Sequence, residues 1–538
     1  MRRRTHLLSI LCLLVPIAAS AAASAGEPTI DCKSAIPPTM DFKTFDDTCR
    51  AMAAAQRLRS SMPHAEGATA GAAAAVAVYD SRNTIAGLSF ANVPTWSDSD
   101  ILAQFPTTRD KRYMTTSDKP SFQRRISWMY PEDGCYSRAE QLDVQAAQAG
   151  KVRPYKLYAF GRSPLLRVYT NNTSSGMVNW WYHVVPVVKN SAGEPIVFDA
   201  ALSPCKPLPW KTWLAMMVGD MALYDNVAAG NGVALGDSWS YNPYSLVSGE
   251  PSHSTESLND QTVAYLPAEW NRQIELGRDP NVVLGASPPW SGYNCVMTEV
   301  ELSTVAVPSN TSATVSTRCP FATVAVGGGL QLSTQSFAVS KNAMNGNAWE
   351  VTASNTSRSS QQLSTSAVCL TGAPSNASIS TIMGNVVNIN ANSYNTSTAS
   401  CGIATLVGGG FITTLGQNPS SVMRIYTNGR TSTGNVWQVS AYNTTTTAKT
   451  ITAYAYCLLN TNFTFSQSSG NLSGGGIASA SCSDPKHTMG GGFVFPRTTA
   501  YTVVNMQNFG SKYDVDMTPA PTAGDGNAKA YAECLTHP

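Results

Sequence analysis

The sequence predicts a two-part chain: an α+β region over residues 93–300, then an all-β region of three repeats over residues 301–538. Three observations carry this reading. One pattern recurs three times: Cys319, Gly327-Gly328-Gly329, Trp349-Glu350-Val351, Cys369-Leu370; then Cys401, Gly408-Gly409-Gly410, Trp437-Gln438-Val439, Cys457-Leu458; then Cys482, Gly490-Gly491-Gly492, Tyr513-Asp514-Val515, Cys534-Leu535. The aromatic residue precedes the second cysteine by 20, 20 and 21 residues, the regularity expected of an internal repeat. Charged residues make up 13% of the 538, about half the usual share of roughly 25%, and 17 of them lie between Glu301 and Pro538. So sparse a charge leaves Ser, Thr, Asn and Gly to cover the surface, as in many secreted β proteins. Residues 93–300, by contrast, mix helical and strand-like runs, and the whole chain is too long for one core.

Taken in order, residues 1–25 read as a signal peptide. Arg2, Arg3 and Arg4 form a basic start, Leu7 to Ala19 a short apolar run, and Ala23-Ser24-Ala25 a cleavage site. The run is shorter than the ~20 residues that span a bilayer, so no membrane span is expected. The mature chain is expected to begin at Gly26 and to be secreted, extracellular or periplasmic. Residues 26–92 read as a candidate pro-region or N-terminal subdomain, with helical character over Phe42–Leu58 and a strand-like run at Val76–Tyr79.

Within 93–300, Asp133-Gly134 precedes an expected helix from Cys135 to about Ala149. Cys135, Ala139, Leu142 and Ala146 share one face, and Gly150 supplies the stop. Strand-like runs follow at Tyr155–Phe160, Leu165–Tyr169, Val178–Val188 and Ile196–Phe198, the last two joined by a turn-rich connection that predicts a hairpin. Trp210–Leu223 reads as a second helix and 225–290 as loops. In 301–538 each repeat is expected to hold one internal disulfide, with the triple glycines as β-turn features. Threefold pseudo-symmetry leaves two architectures open, a β-prism-like and a trefoil-like domain.

A formal net charge of +2 argues against nucleic acid as a partner. No zinc-type His/Cys spacing, phosphate loop or GxSxG is found, so no metal or other cofactor is expected. Of 12 cysteines, Cys12 leaves with the signal peptide; the remaining 11 are odd in number, so at least one thiol stays free or pairs with another chain, and parity alone does not choose which. Six belong to the repeats, and Cys32, Cys49, Cys205 and Cys295 can form two more bridges with pairing left open. The remaining one is Cys135, at a helix start whose N–H groups and partial positive charge favour a thiolate and can hold an oxyanion.

A general base is then required. Of His64, His183, His253, His487 and His537, His183 alone lies in an apolar strand run, Trp180-Trp181-Tyr182-His183-Val184-Val185. A turn centred near Ser191 pairs residues whose numbers sum to 382, which sets His183 opposite Asp199; Pro186 can shift that register by one. Cys135, His183 and Asp199 together would give a nucleophile, a general base and an orienting acid. The plainer readings are a disulfide half, a satisfied structural histidine and a turn or cap aspartate. Trp180 and Trp181 read as core.

These residues resemble the bacterial secreted protein-glutaminases (protein-glutamine deamidases). Tyr130-Pro131-Glu132-Asp133-Gly134-Cys135-Tyr136-Ser137-Arg138-Ala139 resembles the family's nucleophile segment. Trp181-Tyr182-His183-Val184 resembles its histidine strand, Val197-Phe198-Asp199-Ala200-Ala201-Leu202 its aspartate strand, and Asn294-Cys295-Val296 a segment near its catalytic C-terminus. Ala200-Ala201 departs from the family's Pro-Ser. The resemblance covers about residues 93–300. It implies a transglutaminase-like cysteine-hydrolase fold with a Cys135-His183-Asp199 triad that hydrolyses side-chain amides of protein-bound glutamine to glutamate and ammonia, and a pro-region over the active site. A transglutaminase or cysteine protease with the same triad, and a non-enzymatic surface-binding protein, are the alternatives. The β repeats are expected to bind a cell-surface glycan or protein.

Overall fold

The computed structural model describes residues 82–538 apart from 162–165, 247–254, 293, 373–376, 415–422, 432–433, 461–462, 474–475, 484–487, 496–501, 510–511, 519–527 and 537–538. The signal-peptide reading, the helix expected at Phe42–Leu58, Cys32, Cys49, and His64, His253, His487 and His537 lie outside the described residues.

The first part holds helices α1 (Asp98–Asp110), α2 (Cys135–Gln148), α3 (Trp210–Met217) and α4 (Thr255–Glu275). Its strands are β1 (Met114–Thr116), β2 (Lys119–Arg124), β3 (Tyr155–Phe160), β4 (Arg167–Tyr169), β5 (Met177–Asn179), β6 (Tyr182–Lys189), β7 (Pro195–Val197), β8 (Leu208–Pro209) and β9 (Gly232–Gly236). A five-stranded antiparallel sheet runs β8-β7-β6-β3-β9, with β6 at its centre. That position explains the apolar sequence of β6, because a strand covered on both faces has no polar alternation to show. Val184 packs with Ala139 of α2, and Val188 with Leu142 and Ala146. Val185 and Val187 pack instead with Trp213 and Leu214 of α3. Helix α2 therefore runs alongside β6, its N-terminus at the strand's first residues. Residues 82–92 reach the same core, where Phe90 lies 5.1 Å from the Trp210 ring.

Three expectations for this part need correction. The run Val178–Val188 is not one strand: β5 pairs with β4 in a separate ribbon, and the chain breaks at Trp180-Trp181 before β6 begins. The hairpin pairs Val187 with Val197 and Lys189 with Pro195, so paired numbers sum to 384 and the turn centres on Ala192. The register is two residues from the one expected, which preserves the face each side chain occupies. Residues 225–290 are not all loops, since α4 spans 21 of them. Pro186 is accommodated in a central strand because its carbonyl accepts from Phe198 N, on the β7 side, just beyond the end of that short strand. Its missing N–H falls on the same side, where the ladder has ended.

Helix α2 is buried nearly all round rather than on one face. It carries Glu140 and Asp143, both fully buried, to Lys156 of β3 at 2.6 and 3.1 Å, with Arg153 2.9 Å from Asp143. Two acids and two bases cancel in charge, and this fixes α2 against the sheet. Burial lowers the Arg153 pKa to about 9.

The second part is all-β. Repeat 1 supplies β10 (Met297–Val307), β11 (Ser312–Arg318), β12 (Val324–Leu332), β13 (Phe337–Asn345), β14 (Ala348–Asn355) and β15 (Gln361–Thr371). Repeat 2 supplies β16 (Ser378–Met383), β17 (Val387–Ile389), β18 (Ser393–Ser400), β19 (Thr405–Thr413), β20 (Met423–Arg430), β21 (Val436–Asn443) and β22 (Lys449–Leu459). Repeat 3 supplies β23 (Thr464–Ser473), β24 (Ile477–Ser481), β25 (Thr488–Val494), β26 (Thr502–Phe509), β27 (Lys512–Thr518) and β28 (Lys529–Thr536). The repeats exchange strands cyclically: β12 pairs with β26, β19 with β13, and β25 with β20. Each copy is thus completed by the next, as one repeat cannot bury its own apolar face. Cys319–Cys369, Cys401–Cys457 and Cys482–Cys534 are bonded within the repeats, and Cys205–Cys295 joins the first part.

The triple glycines are strand interiors, not turns, and close approach explains them. A Cβ on Gly328 would lie 2.4 Å from the Trp349 ring, on Gly409 2.3 Å from Trp437, and on Gly491 2.4 Å from Tyr513. A Cβ on Gly327 would meet Met489 O at 2.4 Å, and one on Gly408 Val326 O at 2.8 Å, so backbones of different repeats touch there. Gly328→Ala should therefore cost about 3 kcal/mol or more. Gly150→Ala, in open space at φ 74°, should cost about 1 kcal/mol of backbone strain alone. Thermal unfolding of the two variants checks the order.

Candidate active site

Cys135 opens α2. Gly134, the residue before it, adopts φ 78°, and a Cβ there would meet the Tyr265 ring at 3.0 Å, so position 134 requires glycine twice over. No side chain caps the helix, and the first turn's N–H groups are left available. The loop before Cys135 is clamped from three directions. Arg138 Nη1 donates to Tyr130 O at 2.9 Å and to Asp133 O at 2.6 Å; Trp180 Nε1 donates to Pro131 O at 3.0 Å; Glu132 pairs with Arg272 of α4. Among the described residues Cys135 is a free cysteine, buried at 7% exposure.

His183 and Asp199, expected opposite each other, are diagonal neighbours in the true register and still meet: Nε2 lies 2.8 Å from Asp199 Oδ2. Trp213 Nε1 donates to the same oxygen at 2.9 Å. Asp199 Oδ1 accepts from the N–H groups of Ala201 and Leu202 at 3.2 and 3.3 Å. Both carboxylate oxygens are thus engaged by donors. The imidazole is sandwiched between Trp180, stacked at 4.6 Å, and Trp213 at 5.8 Å. Its Nδ1 is buried and has no hydrogen-bond partner among the described residues, on a strand whose neighbouring residues Tyr182 and Val184 pack with Cys135.

The electrostatics follow from burial and pairing. Burial alone would lower the His183 pKa, but the Asp199 charge, its hydrogen bond and Cys135 outweigh this and push it up to about 9. Burial opposes ionisation of Asp199, yet His183 and Trp213 hold its carboxyl below the usual range. Burial, and then Cys135, hold the Tyr182 hydroxyl far above its ordinary range, so it remains a donor beside the sulfur. An unfolded histidine titrates near ~6.5. The raised His183 pKa therefore contributes stability that is complete below pH ~6.5 and lost as pH rises through about 9. Melting temperature should fall across that window, and His183→Gln should flatten the fall.

The sequence reading had no signal for several of these neighbours. Trp213, on α3, touches Asp199 with no spacing to announce it. Tyr265, on α4, shares a hydrogen bond with Tyr136, the residue after Cys135, and the composition of its segment predicts loop. Trp180 is core, as expected, but it also stacks on His183; Trp181 is 47% exposed.

Residues 103–217 match the model of a family described as Glutaminase. This span contains Cys135, His183, Asp199 and Trp213. The solved structures similar to the chain include a protein-glutaminase, 22% identical, with 28% of this chain and 77% of that one covered and a TM-score of 0.21. A pro-protein-glutaminase is 18% identical, with 38% and 64% covered and a TM-score of 0.23. A search of curated protein sequences found no match.

Proposed function

Starting from a glutaminase-family domain over residues 103–217, we propose that the chain is an exported protein-glutamine deamidase acting through Cys135, His183 and Asp199. One observation carries the reading: a free cysteine at a helix N-terminus packs against Tyr182 and Val184, the residues either side of His183, whose imidazole a buried carboxylate holds at 2.8 Å. Burial also favours a glutamine side chain as substrate. A cysteine 7% exposed is reached more readily by a slender, unbranched carboxamide than by a main-chain peptide bond flanked by side chains.

In this reaction the Cys135 sulfur attacks the carboxamide carbon, and the first-turn N–H groups of α2 receive the oxyanion. The His183 imidazolium gives its proton to the departing nitrogen as the C–N bond breaks, and ammonia leaves. The acyl group is then a thioester on Cys135. His183 takes a proton from water, the hydroxide attacks the thioester, and the thiolate departs with glutamate as product. Asp199 keeps Nε2 protonated, leaving Nδ1 for the proton transfers.

The test is mass spectrometry of a glutamine-bearing protein after incubation with the enzyme. A gain of one dalton with ammonia released supports deamidation. A cross-linked product would mean transamidation, a cleaved chain would mean proteolysis, and an unchanged substrate would leave a binding protein.

A further inference from the structure

The pseudo-symmetry supplies an internal control: a surface feature present in one repeat and lacking in the others is not needed by the fold. Such a feature stands across β20, β21 and β18. There Arg424 is in register with Tyr442, and Tyr442 with Tyr394. The same row in repeat 1 is Ala338, Ser354 and Ser312, and in repeat 3 it includes Thr502 and Thr518. Tyr394 is 37% exposed and rests 4.5 Å from the Tyr442 ring and 5.6 Å from that of Tyr426, which is buried beneath. The exposed ring is therefore held in place before any ligand arrives. Among the described residues Arg424 has no ion-pair partner.

We propose that Arg424, Tyr442 and Tyr394, supported by Tyr426, form a binding site for an acidic saccharide. A sugar ring has an apolar C–H face that an aromatic ring can cover, and hydroxyl edges that phenol groups can bond. A uronate carboxylate matches the planar fork of a guanidinium. Size selects the saccharide over a protein partner. Rings of ~150–250 Å² each, part-buried already, offer a few hundred Å² at most. That is short of the roughly 800 Å² per partner of a stable protein interface.

The full chain would be tested on immobilised polygalacturonate and hyaluronate, with neutral dextran as control. Wild type is expected to bind the two uronate polymers and not dextran. Arg424→Ala should weaken binding about tenfold, the loss of one charge-assisted contact of ~1.4 kcal/mol. The combined variant Tyr394→Ser, Arg424→Ala, Tyr442→Ser, which writes repeat 1 into repeat 2, should abolish it with glutamine deamidation unchanged. Tyr394→Ser alone, an exposed change, keeps the test open if the combined variant fails to fold. No binding to either polymer by wild type, equal binding to dextran, or unimpaired binding by these variants would overturn the site.

Discussion

Cys135→Ala is expected to reduce ammonia release by at least about 10⁴-fold, to the level left when a covalent nucleophile is removed from an otherwise intact site. The expectation rests on chemistry that no neighbour can replace. His183 and Asp199 can transfer or orient protons but cannot form the thioester. The Tyr182 hydroxyl, held protonated beside the sulfur, is a poor nucleophile. The fold should tolerate the change. Among the described residues Cys135 forms no disulfide, and its cluster with Ala139, Tyr158, Phe160 and Val184 loses one sulfur atom. The expected stability loss is on the order of 1 kcal/mol. The result to obtain is a variant with near-native melting and no one-dalton gain in the substrate. A variant that releases ammonia at the wild-type rate would remove Cys135 from the mechanism and with it the reading of this site as a thiol hydrolase.

How much of this was legible depends on whether the signal was local. The helix from Cys135 was readable because its start, apolar spacing and terminating Gly150 all lie within 16 residues. The pairing of His183 with Asp199 was readable because a hairpin is local. The error in the pairing register was an even number of residues, so both side chains stayed on one face. An odd error would have hidden the pair. The intra-repeat disulfides were readable from the threefold recurrence. By contrast, α4 carries Pro267 in mid-helix and follows a stretch rich in Gly, Pro and Ser, so composition pointed to loop. What makes it a helix is packing: Arg124 pairs with Glu269 at 2.5 Å, Leu266 is fully buried, and Tyr265 meets Gly134 and Tyr136. Those contacts span more than 120 residues, and no window along the chain contains them. The glycine triplets failed as turns for the same reason, since the aromatic ring each accommodates lies more than 20 residues away and the backbone it touches belongs to another repeat.

Asp199→Asn should lower kcat by about 10²–10⁴-fold while leaving substrate binding nearly unchanged, and the reason lies in the hydrogen-bond polarity of the site. All four groups around the carboxylate are donors: His183 Nε2–H, Trp213 Nε1–H, and the N–H groups of Ala201 and Leu202. A carboxylate accepts on both oxygens. An amide accepts on one and turns two hydrogens toward donors on the other. With its oxygen toward His183, the Asn NH2 opposes two backbone N–H groups. Flipped, it opposes Trp213 and forces His183 to accept at Nε2, which puts the proton on Nδ1 of a neutral ring with no carboxylate to stabilise the imidazolium. Either way the charge that raises the imidazole is lost, while burial, which lowers its pKa, remains. The variant's alkaline limb should therefore move well below the wild-type limb near pH 9, toward or under ~6.5. A merely structural aspartate would cost stability and leave that limb in place, so the pH profile of kcat decides between the two roles. Trp213→Phe, which removes one donor and keeps the charge, should shift the limb in the opposite direction or hardly at all, because the remaining carboxylate interacts with His183 with less competition.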